Sequence, residues 1–200
     1  MPRRKSSLQQ LKISLSKARA ENDVMLYGEL KQVHSAIQQP WSITFTALTK
    51  LLKSANSQVT KHYIADVFGA SKDPRVLKPL MFAAKATDNK NYSANFLFPC
   101  AEYDCTAHVN FFVQFLLQCQ EPDESMVGCV AVIEKMQGPF EANTIKRNVA
   151  KLLGRNRSKI STEFQIQDEV LTIQAGYALL DKYFEQIDKK WKAEILTSSN

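Results

Sequence analysis

The sequence predicts an all-α chain of stacked helix pairs closed by one long C-terminal helix, and three observations carry that prediction. Apolar residues recur at steps of three and four along nearly the whole chain, which is the spacing of a helix face. Within residues 91–120, Val109, Phe112, Val113, Phe115, Leu116 and Leu117 make a helix too apolar to stand alone in water, so other helices must cover it on more than one side. Near the end, Ile166, Val170, Ile173, Tyr177, Leu180, Phe184, Ile187 and Trp191 alternate steps of four and three, a heptad seam.

Taken in order, residues 1–7 read as a basic mobile tail, and Ser7 is placed to cap a helix carrying Leu8, Leu11, Leu15 and Ala18. Asp23 opens a second helix with Leu26, Leu30, Val33 and Ile37 on one face, and Pro40 is read as its stop because proline cannot continue the hydrogen-bond ladder. Ser42 is expected to cap a third helix through Phe45, Leu48, Leu52 and Ala55, although WSITF alone also alternates like a strand. The fourth, over 58–68, runs to Gly69, read as a left-handed stop.

Asp73-Pro74 pairs a capping acid with a proline pre-set for the first helical position, and Pro79 is expected to kink the helix that follows. A helix over 90–102 contains Pro99. Asp104 or Thr106 caps the apolar helix 106–119, and Glu121-Pro122-Asp123-Glu124 starts the next, whose Val127, Val130, Val132, Ile133 and Met136 face its neighbours. Gly138-Pro139 ends that helix and begins another through Ile145, Val149, Leu152 and Leu153 to Gly154. The seam then falls on a helix over 164–195, with 196–200 a frayed terminus. Tyr177, Phe184 and Trp191 are large for a narrow two-stranded seam, so it is read as packing inward as a cap rather than pairing with a copy or a partner helix. Residues 8–195 are thus expected to form one helical domain.

Composition sets outer bounds. No apolar run approaches the ~18 residues of a membrane span, and the basic N-terminus leads into LQQLKISLSKARA without an apolar signal core, so the chain is read as cytoplasmic. The net charge of +6 is unevenly placed. Residues 1–20 and 146–160 hold 12 of the 26 basic residues and no acid, leaving 14 bases against 20 acids, a balance of −6, elsewhere. Lys146, Arg147, Lys151, Arg155, Arg157 and Lys159 make the second patch the best candidate binding surface, since clustered, acid-free charge suits acidic proteins or phosphates.

The cluster of Cys100, Cys105, His108 and Cys119 offers zinc-type ligands, and Cys105 with His108 and Asp104 offers a nucleophile, base and orienting acid. The first spacing is not a recognised zinc pattern, and a triad's members usually come from distant segments, so the four cysteines are read as small reduced core residues, with no metal and no cofactor. His34 and His62 show no partner in sequence, and GRNRSK at 154–159 fits no nucleotide fingerprint. No acid, base and nucleophile converge by spacing, which leaves an enzymatic reading without support.

From Asp73 to Met136 the chain resembles HEAT-like repeats, the helix-pair units of α-solenoids. The features are Asp73-Pro74, Pro79, the polar turn Thr87-Asp88-Asn89-Lys90-Asn91, the Asp104-Cys105 corner and the start Glu121-Pro122-Asp123-Glu124 before VGCVAVIEKM. NYSANFLFPCAEYDCTAHVNFFVQFLL looks most like the short HEAT repeats of bacterial proteins. The resemblance implies a right-handed α-α superhelix with repeats over 73–153, and a non-enzymatic protein-binding scaffold, an adaptor or an immunity-type protein. The alternative it leaves is a nucleic-acid binder similar to the HEAT-like alkylpurine DNA glycosylases, which grip duplex in a basic concavity. Their catalytic carboxylate flanked by base-contacting tryptophans has no match among these residues.

Overall fold

The protein is seen here in a computed structural model, which describes residues 7–119, 123–154 and 163–198. It is all-α: among the described residues there are ten α-helices, three short 3-10 turns and no strand. In order these are α1 Ser7–Ala20, α2 Val24–Ala36, α3 Trp41–Ser54, α4 Gln58–Ala70, α5 Leu77–Lys85, α6 Ala94–Cys100, α7 Val109–Gln118, α8 Glu124–Lys135, α9 Ala142–Leu153 and α10 Glu163–Ser198. The turns are Pro74–Val76, Thr87–Tyr92 and Thr106–His108. Among the described residues no helix is long and apolar enough to cross a membrane. The chain forms two compact units, Met1–Glu102 and Tyr103–Asn200.

In the first unit α1 packs on α2, α2 on α3 and α4, and α6 on α4 and α5. Leu30, Val33, Leu48, Ile64, Phe68, Leu80, Phe96 and Leu97 are completely buried, each contributing about 1.5–3 kcal/mol of transfer free energy. Asp23 caps α2 as expected, its carboxylate accepting from the Leu26 N–H at 2.9 Å. Helix α2 stops at Ala36, four residues before Pro40, and Pro40 instead precedes α3, with Trp41 as the first helical residue. Ser42 lies inside that first turn and caps nothing. The join is held by Thr44, whose hydroxyl lies 2.8 Å from the Ala36 carbonyl and 2.9 Å from that of Gln39, serving acceptors the helix end leaves open.

Gly69 is not a stop. Helix α4 continues through it to Ala70, and the left-handed residue that follows is Lys72, at φ 60°. What glycine provides at 69 is room, because a Cβ there would sit 3.1 Å from the Pro99 Cβ of α6. Asp73 caps the next turn through the Arg75 N–H, with Pro74 at the first position. The helix expected over 90–102 is shorter. Asn89 donates to the Ala83 carbonyl at 2.9 Å and Ser93 to that of Ala84 at 2.8 Å, so side chains compete for the backbone and hold Thr87–Tyr92 in a 3-10 path before α6 begins.

In the second unit α7 packs on α8 and α9, and α10 lies across α8 and α9. Val109, Phe112, Val113, Leu116, Met126, Ile133, Ile145 and Leu152 are buried. Asp123 caps α8 through the Ser125 and Met126 N–H groups; Glu121 and Pro122 lie outside the described residues. Helix α9 begins at Ala142 rather than at Gly138-Pro139, which form a cis peptide, and its cap is Glu141, accepting from Asn143 N at 3.2 Å and Thr144 N at 3.0 Å.

Helix α10 contacts α8 and α9 through a different face from the heptad seam. Thr172, Ala175, Gly176 and Leu179 are buried, and a Cβ at 176 would approach Leu153 Cδ2 of α9 to 2.9 Å. The seam points to water: Val170 is 54% exposed, Ile173 43%, Tyr177 57%, Phe184 61%, Ile187 45% and Trp191 61%. The expectation of inward packing fails because small residues permit the closer approach, and closeness rather than side-chain size decided which face is covered. The side chain of Ile166 lies outside the described residues.

Candidate functional site

Helix α9 divides cleanly. Ile145, Asn148, Val149 and Leu152 are buried, while Lys146, Arg147 and Lys151 are exposed on the opposite arc. Arg147 and Lys151 are one turn apart, which sets them about 5–6 Å from each other at Cβ. Arg155, Arg157 and Lys159 lie outside the described residues, so the structure brings together three of the six basic candidates. Near the N-terminal end of the row stands Glu141. Its carboxyl is held below the usual range first by the hydrogen bond from the Thr144 hydroxyl and, in smaller part, by the charge of Arg147. Asn148, on the buried side, donates to Asn110 Oδ1 at 2.9 Å and fixes α9 against α7. Just before the Glu141 cap, Gln186 of α10 clamps Phe140, donating to its carbonyl at 3.0 Å and accepting from its N–H at 2.6 Å. The arc is therefore carried on a helix braced from two sides.

The cysteines occupy a different kind of place. Cys100, Cys105 and Cys129 are buried and Cys119 is half-buried, and none is in a disulfide. Burial, with the Asp104 carboxylate beside it, pushes the Cys105 thiol up to about 12, so at neutral pH it carries its proton. A protonated thiol is a poor nucleophile and a poor ligand. Asp104 accepts from the Thr106 N–H and hydroxyl and from the Gln137 N–H, so hydrogen bonds hold its carboxylate at the corner. Among the described residues no three His, Cys, Asp or Glu side chains gather in a way that could hold a metal ion.

Three polar groups that matter were not singled out by sequence. Lys61 is buried in α4, its ammonium donating to Asp88 Oδ2 and to Asn89 Oδ1, the latter at 3.0 Å. Gln58 donates to the same Asn89 oxygen and to the Asp88 carbonyl, so the turn Thr87–Tyr92 is knotted to α4. Beside the knot lies a cleft of about 240 Å³ lined by Thr49, Leu52, Lys53, Phe82 and Lys61, with Lys53 over the Phe82 ring. Glu29, buried in α2, accepts from Asn56 N at 2.8 Å and Ser57 N at 3.2 Å and so ties down the link that enters α4, whose own Ser57 makes no side-chain cap. His62 faces Asp66 one turn on, at 3.6 Å; an acid at i+4 was the available signal.

The arrangement sets exposed cationic side chains on a braced helix, where they can attract anionic groups. In comparisons with known proteins, no family model matches this chain, and neither a curated protein nor a solved structure does.

Proposed function

We propose that this chain is a protein-binding module that docks an acidic surface of another protein on the basic arc of α9, with Arg155, Arg157 and Lys159 extending the same patch in sequence. The observation that carries this reading is the exposure of Lys146, Arg147 and Lys151 on a helix whose other face is buried, with Arg147 and Lys151 one turn apart. Such a row steers an acidic partner and speeds encounter, and its effect falls with salt. The expected likeness to HEAT-like scaffolds, an adaptor or an immunity-type protein, agrees with this mode of action.

A second reading rests on the acid-free run from 146 to 160, which suits a phosphate backbone as well as a carboxylate surface. One pair of experiments separates them. The wild-type chain and a Lys146→Glu/Arg147→Glu/Lys151→Glu variant serve as baits in native lysate, read by mass spectrometry. Proteins retained by the first and lost by the second support the protein-binding reading, and identical catches refute it. Fluorescence anisotropy with labelled duplex and single-stranded oligonucleotides over a salt series then decides the alternative, which requires affinity that falls steeply with salt.

A further inference from the structure

We infer that α10 pairs antiparallel with α10 of a second copy of this chain through its heptad seam. This goes beyond the basic arc, which lies on α9 and takes no part in the pairing. Val170, Ile173, Tyr177, Phe184, Ile187 and Trp191 are each between 43% and 61% exposed, along a stretch of about 32 Å of helix. Scattered exposed apolar residues are ordinary, but a row that, completed by half-buried Leu180, repeats at steps of three and four is not. With three aromatics in it, the row exposes roughly 600 Å² per copy. Two copies would bury about 1,200 Å², the lower end of what a stable interface needs.

The occupant that fits the row is the row itself, run the other way. In an antiparallel pair each a position faces a d position, which sets Tyr177 against Leu180, Phe184 against Ile173 and Val170 against Ile187 of the second copy. Every described aromatic with a described counterpart then meets an aliphatic side chain, which answers the objection that the aromatics are too large for a narrow seam. A parallel pair would instead stack Tyr177, Phe184 and Trp191 each on its own copy. The flanks select the same direction. Antiparallel pairing places exposed Glu169 beside Lys190 of the second copy, twice by symmetry, and sets Asp181 against Gln174 rather than against another acid. In a parallel pair Glu169 would meet Gln174 and no opposite charges would meet. The buried face of α10, on Thr172, Ala175, Gly176 and Leu179, stays engaged with its own unit.

Sedimentation equilibrium at micromolar concentrations is expected to give twice the chain mass for the wild-type protein and the single mass for Phe184→Glu, with unchanged far-UV circular dichroism. Lys190→Glu should weaken the dimer roughly tenfold by turning two attractive flanking pairs repulsive, and Glu169→Lys/Lys190→Glu should restore it, a test that holds even if Phe184→Glu fails to fold. Orientation is read by a short bis-maleimide in a Cys119→Ser background. A mixture of Glu169→Cys and Lys190→Cys chains should link across the two sites, while each chain alone should not link to itself. A wild-type monomer at 100 µM overturns the inference, and so does a dimer that survives both Phe184→Glu and Lys190→Glu. Links between identical sites, which report parallel pairing, overturn it equally.

Discussion

The Lys61–Asp88 pair is asymmetric, and the asymmetry predicts which half is costly to remove. The Lys61 side chain is 3% exposed and that of Asp88 63%. Removing one partner of a buried pair costs about 3–5 kcal/mol because the other charge is left uncompensated. Here only the ammonium is buried, and water reaches the carboxylate side, so Asp88→Ala is expected to cost about 2 kcal/mol, leaving Asn89 Oδ1 as the one remaining acceptor at 3.0 Å. Lys61→Met should cost under about 1 kcal/mol, since the thioether chain refills the space, Asp88 hydrates, and Asn89 keeps the Gln58 donor. The double variant should match Lys61→Met within about 0.5 kcal/mol, because no orphaned charge remains. Urea unfolding followed by circular dichroism measures all three. Equal losses for the two single variants, or a larger one for Lys61→Met, would refute the reasoning. The pH dependence has a definite sign. Hydrogen bonding from Lys61 lowers the folded-state pKa of Asp88, so its contribution is complete above the unfolded value of about 3.9 and is lost as pH falls through the lower folded value. The gap between wild type and Asp88→Ala should therefore be flat from pH 5 to 8 and close in acid.

Glu29→Ala should destabilise the first unit by about 2 kcal/mol, since the two backbone N–H groups just before α4 lose their acceptor; a loss below about 0.5 kcal/mol in the same unfolding assay would count against that role. Glycine replacements should differ in sign. Gly69→Val drives side-chain atoms into Pro99, held in α6, and should cost about 2 kcal/mol. Gly176→Ala meets the Leu153 side chain, at 2.9 Å from Cδ2 and 3.2 Å from Cγ, and Leu152 Cβ only at an ordinary 3.6 Å; because Leu153 is 44% exposed and can swing, the change should be neutral or gain up to about 1 kcal/mol of helix propensity. Maleimide at pH 8 followed by mass spectrometry should label Cys119 well before Cys105, whose buried thiol keeps its proton. Equal labelling rates in the folded protein would contradict that burial.

The all-α class was legible because the helical period is a local signal, whereas several element ends were not. Asp23 and Asp73 cap where the sequence places them, each two or three residues from the N–H it accepts, while Asp123, read as a first-turn acid, is itself the cap of α8. Glu29 escaped notice because its donors lie 27 and 28 residues on, and Lys61 because a lysine on a helix ordinarily faces water. Gly69 obeyed a contact 30 residues away rather than the local stop rule. The basic arc was legible as composition, and the structure adds that its described members share an exposed side. For α10 the period was legible and the facing was not. Its buried face is made of Thr172, Ala175, Gly176 and Leu179, a set that scores poorly on hydrophobicity yet packs closely.

The arc and the seam lie on two helices packed against each other, and that adjacency links the two proposals. If α10 pairs two copies, each assembly carries two rows of Lys146, Arg147 and Lys151, and an extended polyanion engaging one row meets the second at high effective concentration. Avidity then makes Phe184→Glu a binding variant, although it touches none of the basic residues. On immobilised heparin, a polyanion long enough to span two rows, the wild-type chain should elute at higher salt than Phe184→Glu, at equal net charge per row. Loss of Lys146, Arg147 and Lys151 should lower retention of both and remove the difference between them. Should Phe184→Glu and wild type elute together while sedimentation shows one monomeric and the other dimeric, the two rows do not act on one ligand, and pairing and binding are separate properties of the second unit.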